Sequence, residues 1–67
     1  MTTAEFTQLE TDEAAQILRW RLVTLTAAGY DLDNAVVLAS HVEIDLHDAA
    51  ELARRGCPPA TAVRILI

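Results

Sequence analysis

The stretches DLDNAVVLA at 31–39 and DLHDAAELA at 45–53 share Asp, Leu, Ala, Leu and Ala at a spacing of fourteen residues. Each opens on a residue suited to capping a helix and then places Ala and Leu at helical spacing. The chain is thereby committed to two successive short helices of one design, each with an acidic start and a small apolar face for close packing. Two copies are too few for a solenoid. A looser echo aligns AGYDLDNAVVLA with RGCPPATAVRIL, matching Gly29 to Gly56 and Ala35 to Ala62, so a helix stop, a turn and a new helix are expected twice.

The segments around the repeat follow from the same signals. Thr11, Asp12 and Glu13 open a helical pattern that runs to Gly29, a residue suited to a left-handed stop. At about 100° per residue, Ala14, Leu18, Leu22 and Leu25 form one stripe, expected to face the core. Gln16, Trp20, Val23 and Ala27 group on the opposite side, where an ordinary surface helix is polar. Either another helix covers that second stripe or Trp20 meets a partner, and the two readings stand level. Asp45 is the expected cap of the next repeat helix, Arg54 and Arg55 suit its C-terminal dipole, and Gly56 its end. Pro58 and Pro59 then begin a last helix in which only Thr61 and Arg64 are polar, so it should be buried within the fold or against another chain. The expectation is an all-α fold, a compact bundle of about four short helices near 12–28, 32–40, 45–55 and 58–67, in UBA-like or helix-turn-helix-like packing.

At 67 residues this is one domain, near the size at which a single core suffices without staples, so self-association is a live expectation. About half of the residues are apolar, 52%, with one each of Phe, Trp and Tyr, which predicts an Ala, Leu, Val and Ile core and argues against disorder. Residues 1–13 carry Glu5, Glu10, Asp12 and Glu13 and no basic group, whereas residues 14–67 hold six acidic and five basic groups. For the acidic head at 1–10, a free tail and an extra turn anchored by Phe6 and Leu9 both stay open. The lone Cys57 has no partner for an intramolecular disulfide, and neither a signal-peptide pattern nor an apolar run of membrane-spanning length is present. A reducing, cytoplasmic location is expected. All five basic residues are Arg, a bias in keeping with a bacterial, GC-rich origin.

The most chemical-looking stretch is SHVEIDLHD at 40–48, where His41, Glu43, Asp45 and His47 alternate with Val42, Ile44 and Leu46. An extended connector between two helices explains it, with the apolar set turned inward and the polar set outward. Zinc would need about four converging ligands, and neither a CxxC nor a His pair at i,i+4 is present. No metal or other cofactor is therefore expected. Cys57 near a helix start is read as a buried small capping residue, not as a nucleophile, because a chain this small has little room for a catalytic pocket.

The run AAGYDLDNAVVLASHVEIDLHDAAELA resembles the ubiquitin-associated (UBA-like) three-helix domains, in which a Met-Gly-Phe/Tyr loop ends the first helix, an Ala/Leu helix follows and an AVxxLL-type helix closes. Gly29 and Tyr30 match the loop pair, Ala35 and Leu38 the second helix, and 49–53 the third. Ala28 replaces the usual Met, the third-helix leucine is out of step, and the segment CPPATAVRILI is additional. The resemblance implies a protein-docking module with Gly29 and Tyr30 near its binding surface, and it does not imply ubiquitin as the ligand. Taken by itself, a Tyr after a helix-ending Gly more commonly packs back on that helix.

The function expected is a non-enzymatic protein–protein interaction module, an adaptor or a homo-oligomer with a homodimer foremost, using Gln16, Trp20, Val23, Ala27 and Tyr30. The alternative is a small dimeric DNA-binding protein using residues 49–66, with Arg54, Arg55, Thr61 and Arg64 as contacts. Against it stand a net charge of −5 and an apolar recognition helix, so a nucleic-acid partner is not expected. No membrane partner is expected either.

Overall fold

Helix-forming segments separated by glycine, proline and acidic caps give five helices and no strand in the computed structural model, which describes residues 1–67. They are α1 (Thr3–Thr7), α2 (Thr11–Ala28), α3 (Leu32–Ser40), α4 (Leu46–Arg54) and α5 (Pro59–Leu66). The long α2 packs against α3 and α4, and α5 closes the other side of α3 and α4. Four of the five fall within a residue or so of the expected spans. The addition is α1, for which the extra turn was one of two readings. Thr2 and Glu5 cap it reciprocally: the Glu5 amide donates to Thr2 Oγ1 at 3.1 Å, and the Thr2 amide to Glu5 Oε1 at 3.2 Å. The T-x-x-E spacing announces such a box in the sequence. No residue of α1 is buried, so local capping rather than packing defines it.

Both expected glycine stops are present, and they are built alike. At the end of α2 the amides of Gly29 and Tyr30 donate to the carbonyls of Thr26 and Leu25. At the end of α4 those of Gly56 and Cys57 donate to Ala53 and Leu52. These paired bonds form the Schellman arrangement, and they require φ of 115° at Gly29 and 86° at Gly56. Gly29→Ala should cost roughly 1–2 kcal/mol by forcing a Cβ into that left-handed backbone, read as a lower urea midpoint with an unchanged slope.

Asp31 and Asp45 cap α3 and α4 as the repeat predicts. The Asp31 side chain accepts from the Asn34 amide and from Asn34 Nδ2, and these bonds hold its carboxyl below the usual range. Asp45 accepts from the His47 amide at 2.8 Å. Pro58 caps α5 and Pro59 is its first residue, one position later than expected.

The core joins Leu25, Tyr30, Ala35, Leu38, Ala39, Ile44, Ala49 and Ala62, with Leu22, Leu46, Leu52, Cys57, Val63 and Leu66 packed partly against it. Ala35, Ala49 and Ala62, equivalent positions in the two sequence echoes, are all fully buried. Small side chains at these positions let short helices approach closely. Two sequence readings are corrected here, for Cys57 and for the α2 stripe. Cys57 is half-buried one residue before the cap of α5, not a buried cap itself. The last helix is half covered within the fold, with Ala62 buried, while Ile65 on it and Ile67 just after it stand exposed, which leaves the alternative of cover by another chain. Of the α2 stripe Ala14, Leu18, Leu22 and Leu25, only Leu25 is fully buried, because the buried arc of the helix is turned toward Arg21.

Candidate functional site

The connector from α3 to α4 is where the fold departs most from an assembly of local signals. Val42 and Ile44 are buried and Glu43 is exposed, the alternation expected of SHVEIDLHD. This segment curls around a guanidinium. Arg21 is 5% exposed and donates four hydrogen bonds to main-chain carbonyls: Nε to Ala39 at 3.1 Å, and Nη2 to Leu38 at 3.3 Å, His41 at 2.9 Å and Ile44 at 3.0 Å.

These bonds solve a specific problem. The last carbonyls of any helix lack intrahelical donors, and α3, unlike α2 and α4, is followed by no glycine to fold the chain back over them. The His41 amide donates to the Leu38 carbonyl, and the other donors come from side chains. Ser40 Oγ donates to the Val36 carbonyl and the His41 ring Nδ1 to that of Val37, each at 2.8 Å, and Arg21 serves Leu38 and Ala39. A cation at a helix C-terminus is further favoured by the dipole. Burial pulls the Arg21 pKa below its ordinary value, and the nearby carboxylates Glu43 and Asp45 act in the opposite sense. Arg21 is the structural residue that sequence reasoning missed. Its signal was position: three residues after Leu18 and four before Leu25, it lies on the core side of α2.

The same geometry gives His41 a capping role and leaves His47 on the surface beside Asp45, 3.9 Å away. No group of three or more His, Cys, Asp or Glu side chains is placed to hold a metal ion.

The second stripe of α2 is exposed. Gln16 and Ala27 are at the surface, Trp20 is 62% exposed and Val23 59%, and no helix covers them. This resolves the open alternative for Trp20, which is not buried against the last helix. Tyr30, expected with them on the interaction surface, belongs elsewhere. It is 4% exposed, and its hydroxyl donates to the Ala49 carbonyl at 2.7 Å, which pins the end of α2 to α4. The stop at Gly29 turns the chain back, so the next side chain enters the core instead of solvent.

Trp20 and Ile17 border two adjoining hollows. One is a shallow depression on α2 with Glu13 and Gln16; the other is a groove of about 470 Å³ between α2 and the connector, lined also by Met1, Arg21, Glu43, Ile44, Asp45 and Leu46. Comparison of the chain with family models, curated proteins and solved structures found no match. The side chains around Trp20 are therefore the grounds for any functional reading.

The arginines proposed for nucleic acid are differently placed. Arg55 and Arg54, four and three residues after Glu51, both pair with it, and that pairing holds the Glu51 carboxyl below its usual range. Thr61 and Arg64 are exposed on α5. One carboxylate thus offsets one of the three positive charges, and two of the three arginines are already paired within the chain. No helix is long and apolar enough to cross a membrane.

Proposed function

We propose that this chain is a non-enzymatic interaction module that docks a protein partner through the outer stripe of α2, formed by Gln16, Trp20, Val23 and Ala27. The observation that carries the reading is the exposure of Trp20 and Val23 together on a helix whose other side is already packed. Trp is the residue most often found at the energetic centre of interfaces, because it buries a large area for the loss of few rotamers. Leaving it in water on a chain this small gives up core area that the fold could have used. The hollows beside it would receive side chains of a partner. The resemblance of residues 27–53 to ubiquitin-associated domains points the same way in kind, although Tyr30 contributes to the core and not to the docking face.

Trp20→Asp tests the reading without endangering the fold, since the side chain is exposed and lies outside the core cluster. Two readouts are compared with the parent chain: solution mass by sedimentation equilibrium over a wide concentration range, and quantitative capture of partners by the immobilised chain. The expected result is at least a tenfold weakening in one of them, the scale of a hot-spot tryptophan. If mass and capture are both unchanged, this stripe is not an interface.

A further inference from the structure

The chemistry around Trp20 points to the kind of partner. Glu13 lines one of the hollows that Trp20 borders, and Glu43 and Asp45 line the other. All three are exposed. Asp45 spends one oxygen on capping α4, whereas Glu13 and Glu43 make no ion pair with any basic group of the chain. The cations on the residues lining these hollows are the Arg21 guanidinium and the Met1 amino group, against three carboxylates, and Arg21 Nε and Nη2 are committed to the carbonyls of α3 and the connector. Arg19 lines a separate hollow with Leu18, Leu22 and Val36.

Arg21 contributes one more feature. Its Nη1 donates to no acceptor in the chain, yet no buried side-chain nitrogen or oxygen is left without a partner. That nitrogen therefore keeps some contact with solvent, and Arg21 is among the residues that line the groove. A nine-tenths buried guanidinium thus presents a fixed donor beneath an acidic rim and beside an exposed indole.

An indole face attracts cations through its quadrupole, and unpaired carboxylates on both flanks accept charge-assisted hydrogen bonds from them. A fixed N–H donor at the bottom suits a neutral carbonyl oxygen, because an approaching carboxylate would have to pass Glu43 and Asp45. We propose that the groove takes an arginine- or lysine-bearing segment of another protein. The cationic side chain lies on Trp20 between the flanking carboxylates, and a main-chain carbonyl of the segment accepts from Arg21 Nη1. This rests on the docking reading of the same face and also selects between its occupants. In a two-fold pair each copy would present the same acidic patch to the other, with a net charge of −5 on each chain, so a second copy is the worse fit.

Trp20 is the only tryptophan, so its emission reports on the groove directly. The probes are a capped hexa-arginine peptide, a capped hexa-glutamate and a neutral Gly-Ser peptide of equal length, titrated at physiological ionic strength. Hexa-arginine is expected to change the emission saturably, and the two controls are not. The double substitution Glu13→Gln with Glu43→Gln should weaken that response roughly five- to tenfold, the effect of losing two exposed charge pairs. Asp33→Asn, on α3 and outside both hollows, should leave it unaltered. All three positions are exposed, and helix content by circular dichroism checks that the fold is intact. Equal responses to hexa-arginine and the neutral peptide would overturn the proposal, as would equal weakening by the Glu13/Glu43 and Asp33 variants, which would indicate diffuse charge attraction. If hexa-arginine fails while Trp20→Asp still alters mass or capture, the cationic occupant falls and the docking face stands. If Trp20→Asp alters neither, both fall.

Discussion

Arg21→Ala should unfold a large fraction of the molecules at room temperature. A chain of this length has a total stability on the order of 3–10 kcal/mol. The substitution removes four hydrogen bonds from a charged donor and leaves the carbonyls of Ala39 and Ile44 short of partners. Hydrogen bonds to a charged group contribute roughly 1.5–3 kcal/mol each in net terms, and they are not additive here because one guanidinium makes them all. A combined loss of about 3–5 kcal/mol is the expected size. Arg21→Met separates the causes, because it keeps much of the packed volume and supplies no donor. Arg21→Lys retains charge but replaces a planar fork with a point donor that cannot serve carbonyls on both the helix end and the connector. The expected order of urea midpoints is parent, Lys, Met, Ala, followed by the emission of Trp20. A methionine variant as stable as the parent would show that the carbonyl cap contributes nothing net and that only packing matters.

Tyr30→Ala should be of similar size, about 3–5 kcal/mol, because it opens a cavity in the cluster where α2, α3, α4 and α5 converge. Tyr30→Phe isolates the hydroxyl. It removes the bond to the Ala49 carbonyl and is expected to cost about 1 kcal/mol at neutral pH. The two variants also differ in their response to base. Burial, and secondarily Cys57, raises the Tyr30 pKa above its ordinary 10.0. A raised folded pKa means that folding favours the protonated phenol. Its contribution is complete below about pH 10 and is lost as the pH climbs through the folded value. The chain contains no lysine, so no ammonium side chain shares this window. The urea midpoint of the parent should therefore fall as the pH rises above about 10, and that of Tyr30→Phe should fall less. Parallel declines would assign the alkaline sensitivity to general charge repulsion and not to the Tyr30 phenol.

Much of the architecture could be read before any coordinates, and the successes share a cause. The ends of α2 and α4 lie at Gly29 and Gly56, the starts of α3 and α4 at Asp31 and Asp45, and the inward set of the connector is Val42 and Ile44. Each is decided by groups within about five residues of one another, through a backbone angle, a capping bond or a side-chain alternation. The capping box of Thr2 and Glu5 belongs to the same class, and it was available to a reading that gave the acidic head two outcomes. Tyr30 marks the border. Its place after a helix-ending glycine allowed both packing and exposure, and the partner that decides between them, the Ala49 carbonyl, lies nineteen residues away.

What the sequence by itself determined is thus the set of short helices, their order and their stops, because those depend on local sterics and local hydrogen bonds. Only the tertiary structure decided how α3 ends, through an arginine that reaches it from 17 to 23 positions away in the chain. It also decided that Trp20 is left in water while Arg21, the next residue, is largely buried. Neighbours on a helix point about 100° apart, and hydrophobicity alone would have assigned these two the opposite way. The buried arc of α2 is set by which carbonyls need donors and by how closely the Ala-faced helices can approach. Both quantities exist only once the helices are packed, and they place the indole beside its flanking carboxylates on the open face.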